Sequence, residues 1–472
     1  MSVGLDALRS LFSGRLLIDP EEKAPFLADW RGRWHGRAIA VAQPDTAQDV
    51  AHVMAWCYAH GVPVVTQGGN TGLSGGSVPD ASGNALLLSL TRLRRIRSVD
   101  GANNTLVAEA GCTLSQVQAA AQDAQRLFPL SLAAEGSCTI GGNLATNAGG
   151  VQVLSYGNAR ELCLGLEVVL PDGELWNGLR GLRKDNTGYD LRDLFIGSEG
   201  TLGVITAAVL KLYPRPAGQV AAFVAVPRPS AALLVLARAQ ARLGSGLTAC
   251  ELLSHECLGL VCRHMPATRP PLDAPSPWYL LLEASDGLEE GRAREALESV
   301  LEAAFEEGSA TDAALSASMA QFDALWAVRE NISEAQAAEG KTIKHDIALP
   351  ISRIPAFVDE AGAAIGNCFD GVRLVVFGHL GDGNLHYNLS PAIGRTGPEH
   401  AAQFLSLESD LNRLVHDLVV SHGGSISAEH GLGVLRRDEA QRYRAPVEQR
   451  MMAAIKQALD PRALMNPGKL LA

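Results

Sequence analysis

The sequence predicts an α+β fold in two domains with a helical C-terminal segment, and three observations carry that expectation. Its 472 residues are 47% apolar, enough to bury a large core in about two or three domains. The texture changes near residue 217, where short β-rich runs between Gly-rich turns give way to longer alanine-rich helices alternating with strands. From about Leu411 the chain reads as helical and closes on LDPRALMNPGKLL, whose prolines and glycine stop the last helix. The expected boundaries are residues 1–217, 218–410 and 411–472.

Within the first part, VPVVT, NALLLSL and LGLEVVL read as strands. One clear helix is expected over Thr46–His60, opened by PDT and carrying Val50, Val53, Met54 and Cys57 on one side. After KLYPRPAG, the runs SAALLVLARAQARL and GRAREALESVLEAAFEEG read as helices, and WYLLLEA and VRLVVFGHL as strands. The sequence contains no internal repeat and no low-complexity linker.

Composition excludes several classes. A net charge of -11 without a basic run argues against nucleic acid or an anionic membrane surface as the main partner. The eight cysteines lack a C-x-x-C pair and read as reduced thiols of a cytoplasmic protein. No signal peptide and no run of 18 apolar residues is present, so no membrane span is expected.

Three Gly-rich stretches stand out. VVTQGGNTGLSGGSVP, Val64 to Pro79, places five glycines within nine residues after a strand, which lets backbone amides approach a phosphate. It lacks the Gly-Lys-Ser/Thr of a Walker loop and the spacing of a dinucleotide fingerprint, and alone it could be an ordinary hairpin. EGSCTIGGNLATNAGG, Glu135 to Gly150, and FIGSEGTLGVIT, Phe195 to Thr206, add two further close-approach segments. Together they suit a long ligand carrying a pyrophosphate.

In the second part, FGHLGDGNLHYN is expected to form a hairpin. A two-residue turn at Asp382-Gly383 sets His379 opposite His386, with Asn388 on the same face and Leu380, Leu385 and Tyr387 on the other. Two imidazoles on one face suggest a metal site, but the hairpin offers no third ligand. SISAEHGLG supplies Glu429 and His430 in a loop made tight by flanking glycines; an isolated E-H-G could also be a capped turn. In ALWAVRENISEAQAAEGKTIKHDIALP, Arg329 and Ser333 are four apart and expected to share a helix face, with Lys344 on a following strand. Such residues more often form a solvated face.

The ordered run of QGGNTGLSGGSVP, GSCTIGGNLATNAGG, RKDNTGYDLRDLFIGSEGTLGVIT, FGHLGDGNLH, SISAEHGLG and LDPRALMNPGKLL resembles the flavin dehydrogenases of the vanillyl-alcohol oxidase superfamily. Within it the chain is most similar to the D-2-hydroxyglutarate and D-lactate dehydrogenase family, from about residue 40 onward. The resemblance implies a vanillyl-alcohol-oxidase-type FAD-binding domain, completed by residues 411–472, and an α+β substrate-binding cap domain. It implies that Gly68, Gly69, Asn70, Thr71, Gly72, Gly75, Gly76 and Ser77 hold the FAD pyrophosphate. Glu135, Gly136, Ser137, Gly141, Gly142, Asn143, Thr146, Asn147, Gly149 and Gly150 would flank the rest of the cofactor, with Glu199, Gly200, Gly203, Val204, Ile205 and Asn466. Covalent attachment in the superfamily often uses a His in the first loop; Asn70 stands there, so non-covalent FAD is expected.

By the same resemblance, His379, His386 and Glu429 hold a divalent metal, expected to be Zn2+. His430 is the catalytic base, and Arg329, Ser333, Lys344 and Asn388 bind substrate. Ser333 departs from the family pattern, which has Thr there. The implied reaction is oxidation of a D-2-hydroxy acid, first D-2-hydroxyglutarate, then D-malate, to the 2-oxo acid. Electrons would pass to an unidentified acceptor, an electron-transfer flavoprotein, quinone or cytochrome, and a homodimer is open. D-lactate or glycolate oxidation, a non-redox FAD-containing transferase and a metal-dependent hydrolase are the alternatives.

Overall fold

The computed structural model describes residues 4–395 and 397–471. The chain divides into two compact units, one of Met1–Gly149, Gly157–Arg215 and Glu429–Ala472, the other of Gly150–Tyr156 and Pro216–Ala428. Among the described residues no helix is long and apolar enough to cross a membrane.

In the first unit, helix Ala47–His60 starts where Thr46 and Asp49 close a capping box, each backbone N–H donating to the other's side chain at 3.1 Å. Its buried residues Val50, Val53, Met54 and Cys57 share a core with Val64, Leu86, Leu88 and Met465. A second helix, Leu114–Asp123, departs from the expectation of a single clear one. Thr113 and Gln116 cap it in the same way, and Leu114, Val117 and Ala121 form its narrow buried stripe. Among the described residues, one sheet orders Arg15–Leu17, Val41–Gln43, Leu86–Ser89 and Val64–Gln67, the last three parallel. A second, antiparallel sheet orders Ile96–Asp100, Thr105–Glu109, Val204–Lys211, Cys163–Val169 and Leu175–Gly178.

The carboxyl-terminal chain completes the first sheet. Val64 N–H donates to Leu464 O at 2.8 Å, and Asn466 N–H donates to Val64 O at 2.7 Å. Buried Asp460 holds this turn by accepting from Leu464 N (3.1 Å), Met465 N (2.8 Å) and Lys456 Nζ (2.6 Å).

The second unit is built on an antiparallel sheet, among the described residues seven strands in the order Asp312–Leu315, Gly218–Val226, Trp278–Asp286, Leu247–Ser254, Val372–His379, Asn384–Pro391 and Asp346–Ala348. On one face, Ala221, Phe223, Ala249, Leu253, Tyr279, Leu281, Val375 and Phe377 alternate along their strands and pack on helices His255–His264, Met319–Glu330 and Ile332–Glu339.

Three expectations are corrected. The chain re-enters the first unit at Glu429 rather than near Leu411, because helix Glu408–Ser421 buries Leu411, Val415 and Val419 in the second unit. Residues 150–156 also belong to the second unit, which separates Gly150 from the other glycines of its stretch. The hairpin turn spans residues 380–383, closed by Gly383 N–H to His379 O at 3.0 Å, and the strands pair Phe377, not His379, with His386. That is a slip of two residues, an even number, so His379 and His386 keep one face.

Met465 is fully buried between the returning chain and the first sheet. Met465→Ala should lower the stability of the first unit by about 2–5 kcal/mol, the range for deleting a buried Met side chain. Thermal unfolding followed by circular dichroism would show this as an earlier transition; an unchanged midpoint would mean that the return does not hold the sheet.

Candidate active site

In the first unit, a cavity opens where the three Gly-rich segments meet. It is lined by Gly68, Gly69, Asn70, Thr71, Gly72, Gly76 and Ser77 from the first, by Gly141, Gly142, Asn143 and Thr146 from the second, and by Glu199, Gly200, Gly203, Val204 and Ile205 from the third. Close packing explains the glycines: a Cβ on Gly69 would meet Ser137 O at 1.9 Å, and one on Gly68 would meet Thr139 Oγ1 at 2.3 Å. At Gly72 and Gly76, by contrast, no atom would lie closer than 3.6 Å to an added Cβ, so these two leave open space.

Two features fit this wall to a long polar ligand such as FAD. The buried Thr139 hydroxyl lines the cavity and has no hydrogen-bond partner among the described residues, a donor that a ligand would satisfy. Asn70 and Glu199, both in the wall, hold left-handed backbone at φ 55° and 52°. Asn70 is fixed there by Ser77 Oγ donating to its Oδ1 and by its own Nδ2 donating to Ala28 O, both at 2.8 Å.

His430 lines the same cavity. Its loop is held by Glu199, whose carboxyl oxygens accept from Leu432 N and Gly433 N, each at 2.8 Å. Ser74 Oγ donates to the carbonyls of His430 and Gly431 at 3.1 Å. Burial pushes the Glu199 pKa up, and the two amides, Arg444 and Arg436 pull it back only in part.

Other residues expected at the cofactor stand outside the cavity wall. Glu135 spends its carboxylate on Ser131 Oγ (2.9 Å) and Gln118 Nε2 (3.0 Å), in a turn it shares with Gly136 and Ser137. Gly75 backs onto the Trp34 ring, Asn147 accepts from Arg160 N, and Gly149 and Gly150 lie beyond the wall. Asn466 acts from behind, its Nδ2 donating to Gly76 O (3.0 Å) and Glu199 O (2.7 Å). Sequence reasoning missed Thr139 and Ser74, single hydroxyls in stretches where glycines dominate the signal.

The second unit concentrates charge on one sheet face. Glu251 lies opposite His379 across neighbouring strands, and Asp346 opposite His386. Glu251 is fully buried and accepts from His379 Nδ1 at 2.7 Å and from Arg329 Nε at 2.6 Å. Burial alone would raise its pKa, but His379 and Arg329 overcome that and hold it down at about 2. The Arg329 guanidinium also lies over the Phe377 ring, 4.8 Å from its centroid. The rings of His379 and His386 are 5.7 Å apart, and His386 Nδ1 is 3.8 Å from Asp346 Oδ1.

Asn388 is buried and donates from Nδ2 to Gln336 Oε1 at 2.9 Å. Lys344 is half-buried just ahead of strand Asp346–Ala348 rather than within it. The expectation that Arg329 and Ser333 share a face is corrected. A turn at Asn331 separates helix Met319–Glu330 from Ile332–Glu339, leaving Arg329 buried and Ser333 exposed. At the end of this unit Ala428 N–H donates to Asp346 O at 3.2 Å.

Comparison with known proteins agrees with both units. Residues 38–178 match the family described as FAD binding domain, and residues 215–470 match FAD linked oxidases, C-terminal domain. Over 467 residues the chain is 39% identical to D-2-hydroxyglutarate dehydrogenase, mitochondrial, of Bos taurus, covering 99% of this chain and 83% of that one. It is 38% identical to D-2-hydroxyglutarate dehydrogenase of Xanthomonas citri pv. viticola, covering 97% and 94%. Among solved structures, p-cresol methylhydroxylase shares the fold at a TM-score of 0.76 and 16% identity, covering 99% and 96%. The 4-ethylphenol oxidase of Gulosibacter chungangensis does so at 0.75 and 17%, covering 100% and 97%. The FAD-type cavity, the vanillyl-alcohol-oxidase-type fold and the near full-length identity lead to one conclusion: the chain belongs to the D-2-hydroxyglutarate dehydrogenase family of FAD-linked oxidases.

Proposed function

We propose that this protein is an FAD-dependent dehydrogenase that oxidises a D-2-hydroxy acid to the 2-oxo acid, with D-2-hydroxyglutarate preferred and D-malate next. The likeness to relatives of that name over nearly the whole chain carries this reading. FAD is held without a covalent bond: the Gly68–Ser77 loop has no His, and the cavity's one imidazole among the described residues comes from His430. His379 and His386, on one face of a rigid sheet, hold a divalent ion, expected to be Zn2+, with Glu429 as third ligand. In support, the peptide that precedes Glu429 is tied to Asp346, opposite His386.

When bound, FAD supplies the acceptor for the hydride that leaves C2, and the divalent ion supplies a Lewis acid at the substrate hydroxyl. The chain's own groups do the rest. A ring nitrogen of His430 takes the hydroxyl proton as the C–H bond gives up its electron pair, so the carbonyl forms with both hydrogens accounted for. Arg329 and Lys344 bind the two carboxylates of the substrate and orient it. Asn388, its Nδ2 committed to Gln336, presents its carbonyl oxygen as an acceptor.

The flavin should leave the polypeptide on acid or heat denaturation; colour that stays in the pellet would refute non-covalent binding. Gly76→Asp adds a negative charge where space exists for the side chain, so the variant should fold and purify without flavin.

Exhaustive chelation, or His386→Ala, should nearly abolish turnover while the FAD spectrum persists. Wild-type rates in both would return the two histidines to packing roles. His430→Ala should keep its metal and lose roughly two to four decades of rate, the usual share of a positioned base.

A second charge-assisted carboxylate contact is worth about 1.5–3 kcal/mol, which makes D-2-hydroxyglutarate preferred over D-lactate by roughly tenfold to a hundredfold in kcat/KM. Lys344→Met should erode that preference by lowering the dicarboxylate rate most. Equal losses on both substrates would assign Lys344 to the carboxylate they share.

A further inference from the structure

Glu251 carries no signal in the sequence, yet its carboxylate hydrogen-bonds both a proposed metal ligand and a proposed substrate anchor. It sits between Ala249 and Leu253 on its strand, with Leu281 opposite on one neighbouring strand and His379 on the other. A carboxylate in such a place costs several kcal/mol unless it is paired and hydrogen-bonded, and each of its oxygens meets a different cation or donor: Oε1 faces His379 Nδ1 at 2.7 Å, and Oε2 faces Arg329 Nε at 2.6 Å.

The two contacts have directional consequences. With Nδ1–H committed to Glu251, the neutral His379 ring carries its lone pair on Nε2, the tautomer a metal ligand needs. With Nε committed to Glu251 and Cζ over the Phe377 ring, the Nη groups of Arg329 are the part left to form a fork with a carboxylate. The register makes this arrangement rigid, since Glu251 and His379 are Cα partners on paired strands.

We propose that Glu251 is a positioning residue that sets, through one carboxylate, both the metal-binding tautomer of His379 and the direction of the Arg329 guanidinium. The inference rests on the reading of His379 as a metal ligand and Arg329 as a carboxylate anchor. It extends that reading by making metal affinity and substrate affinity depend on a side chain that touches neither ligand.

Glu251→Gln tests it. The amide keeps one acceptor oxygen but turns an NH2 toward either Arg329 or His379, donor against donor, so at least one of the two is released. In the full-length FAD-loaded enzyme, Zn2+ affinity measured by competition with a chromogenic chelator should fall roughly 10- to 100-fold, the usual cost of losing such a support. KM for D-2-hydroxyglutarate should rise, and the flavin spectrum should stay unchanged. Glu251→Asp keeps the charge one methylene short and should fall between wild type and Gln on both readouts. It also decides the matter if the Gln variant does not fold.

Zn2+ affinity and KM that both stay at wild-type values in a folded variant would make Glu251 a buried structural pair and overturn the proposal. A change in one readout without the other in Glu251→Asp would overturn the shared role. Failure of the underlying reading looks different: His379→Ala would then bind Zn2+ as tightly as the wild type, whatever Glu251 does.

Discussion

Both oxygens of the Glu199 carboxyl accept backbone N–H bonds, from Leu432 and Gly433 at 2.8 Å, and much of the first unit's site geometry follows from that pair. The residue itself sits in left-handed backbone, pinned by its own N–H to Ala145 O and by Asn466 Nδ2 to its carbonyl. One residue therefore joins the second Gly-rich stretch, through its backbone N–H, and the third to the loop that carries His430, through its carboxyl. The arrangement leaves little room: a Cβ on Gly431 would meet Glu199 Oε1 at 2.9 Å, and one on Gly433 would meet Ser74 O at 2.1 Å. Gly431 is thus explained by the Glu199 carboxyl and Gly433 by the Ser74 carbonyl, and the same carboxyl fixes the loop that carries His430.

The two units solve opposite electrostatic problems. The cavity wall of the first is mostly backbone and small side chains, with fixed dipoles suited to a large anionic cofactor in a protein of net charge -11. The second buries full charges, and Glu251 is tolerated because a histidine and an arginine are delivered to it by a paired strand and a helix end. Removing Arg329 would leave an uncompensated charge in an apolar layer, which is costlier than never having placed it there.

Local signals were legible in the sequence where the physics is local. The capping residues of Ala47–His60, the apolar runs that became strands, and the Gly-rich stretches around the cavity are features of a few neighbouring residues. The hairpin was legible too, and so was the shared face of His379 and His386; its register was not. Asp-Gly suggested a tight two-residue turn, whereas Gly383 at φ +88 closes a four-residue one with an N–H to His379. Glu251 was invisible because its partners lie 78 and 128 residues away, and a lone Glu in ACELLS reads like any other. The break at Asn331 was hidden for another reason: no proline or glycine marks it, and backbone near φ -76 and ψ -5 is open to most residues.

Strand Val64–Gln67 lies at the edge of its sheet, and its neighbour on the open side is the turn at 464–466. On the ribosome those partners are separated by most of the chain, including residues 216–428, which form a unit of their own. At about 5–20 residues per second, the wait between emergence of the edge and arrival of its cover is on the order of tens of seconds. During that interval the nascent chain displays an unpaired parallel edge whose buried residues have no lid, the kind of surface on which chains misassociate and chaperones act. The second unit can fold meanwhile, because its own strands are all in hand before Glu429 is made. Cofactor capture then waits on the residues beyond Glu429, which bring His430 to the cavity wall and the 464–466 turn to the open edge.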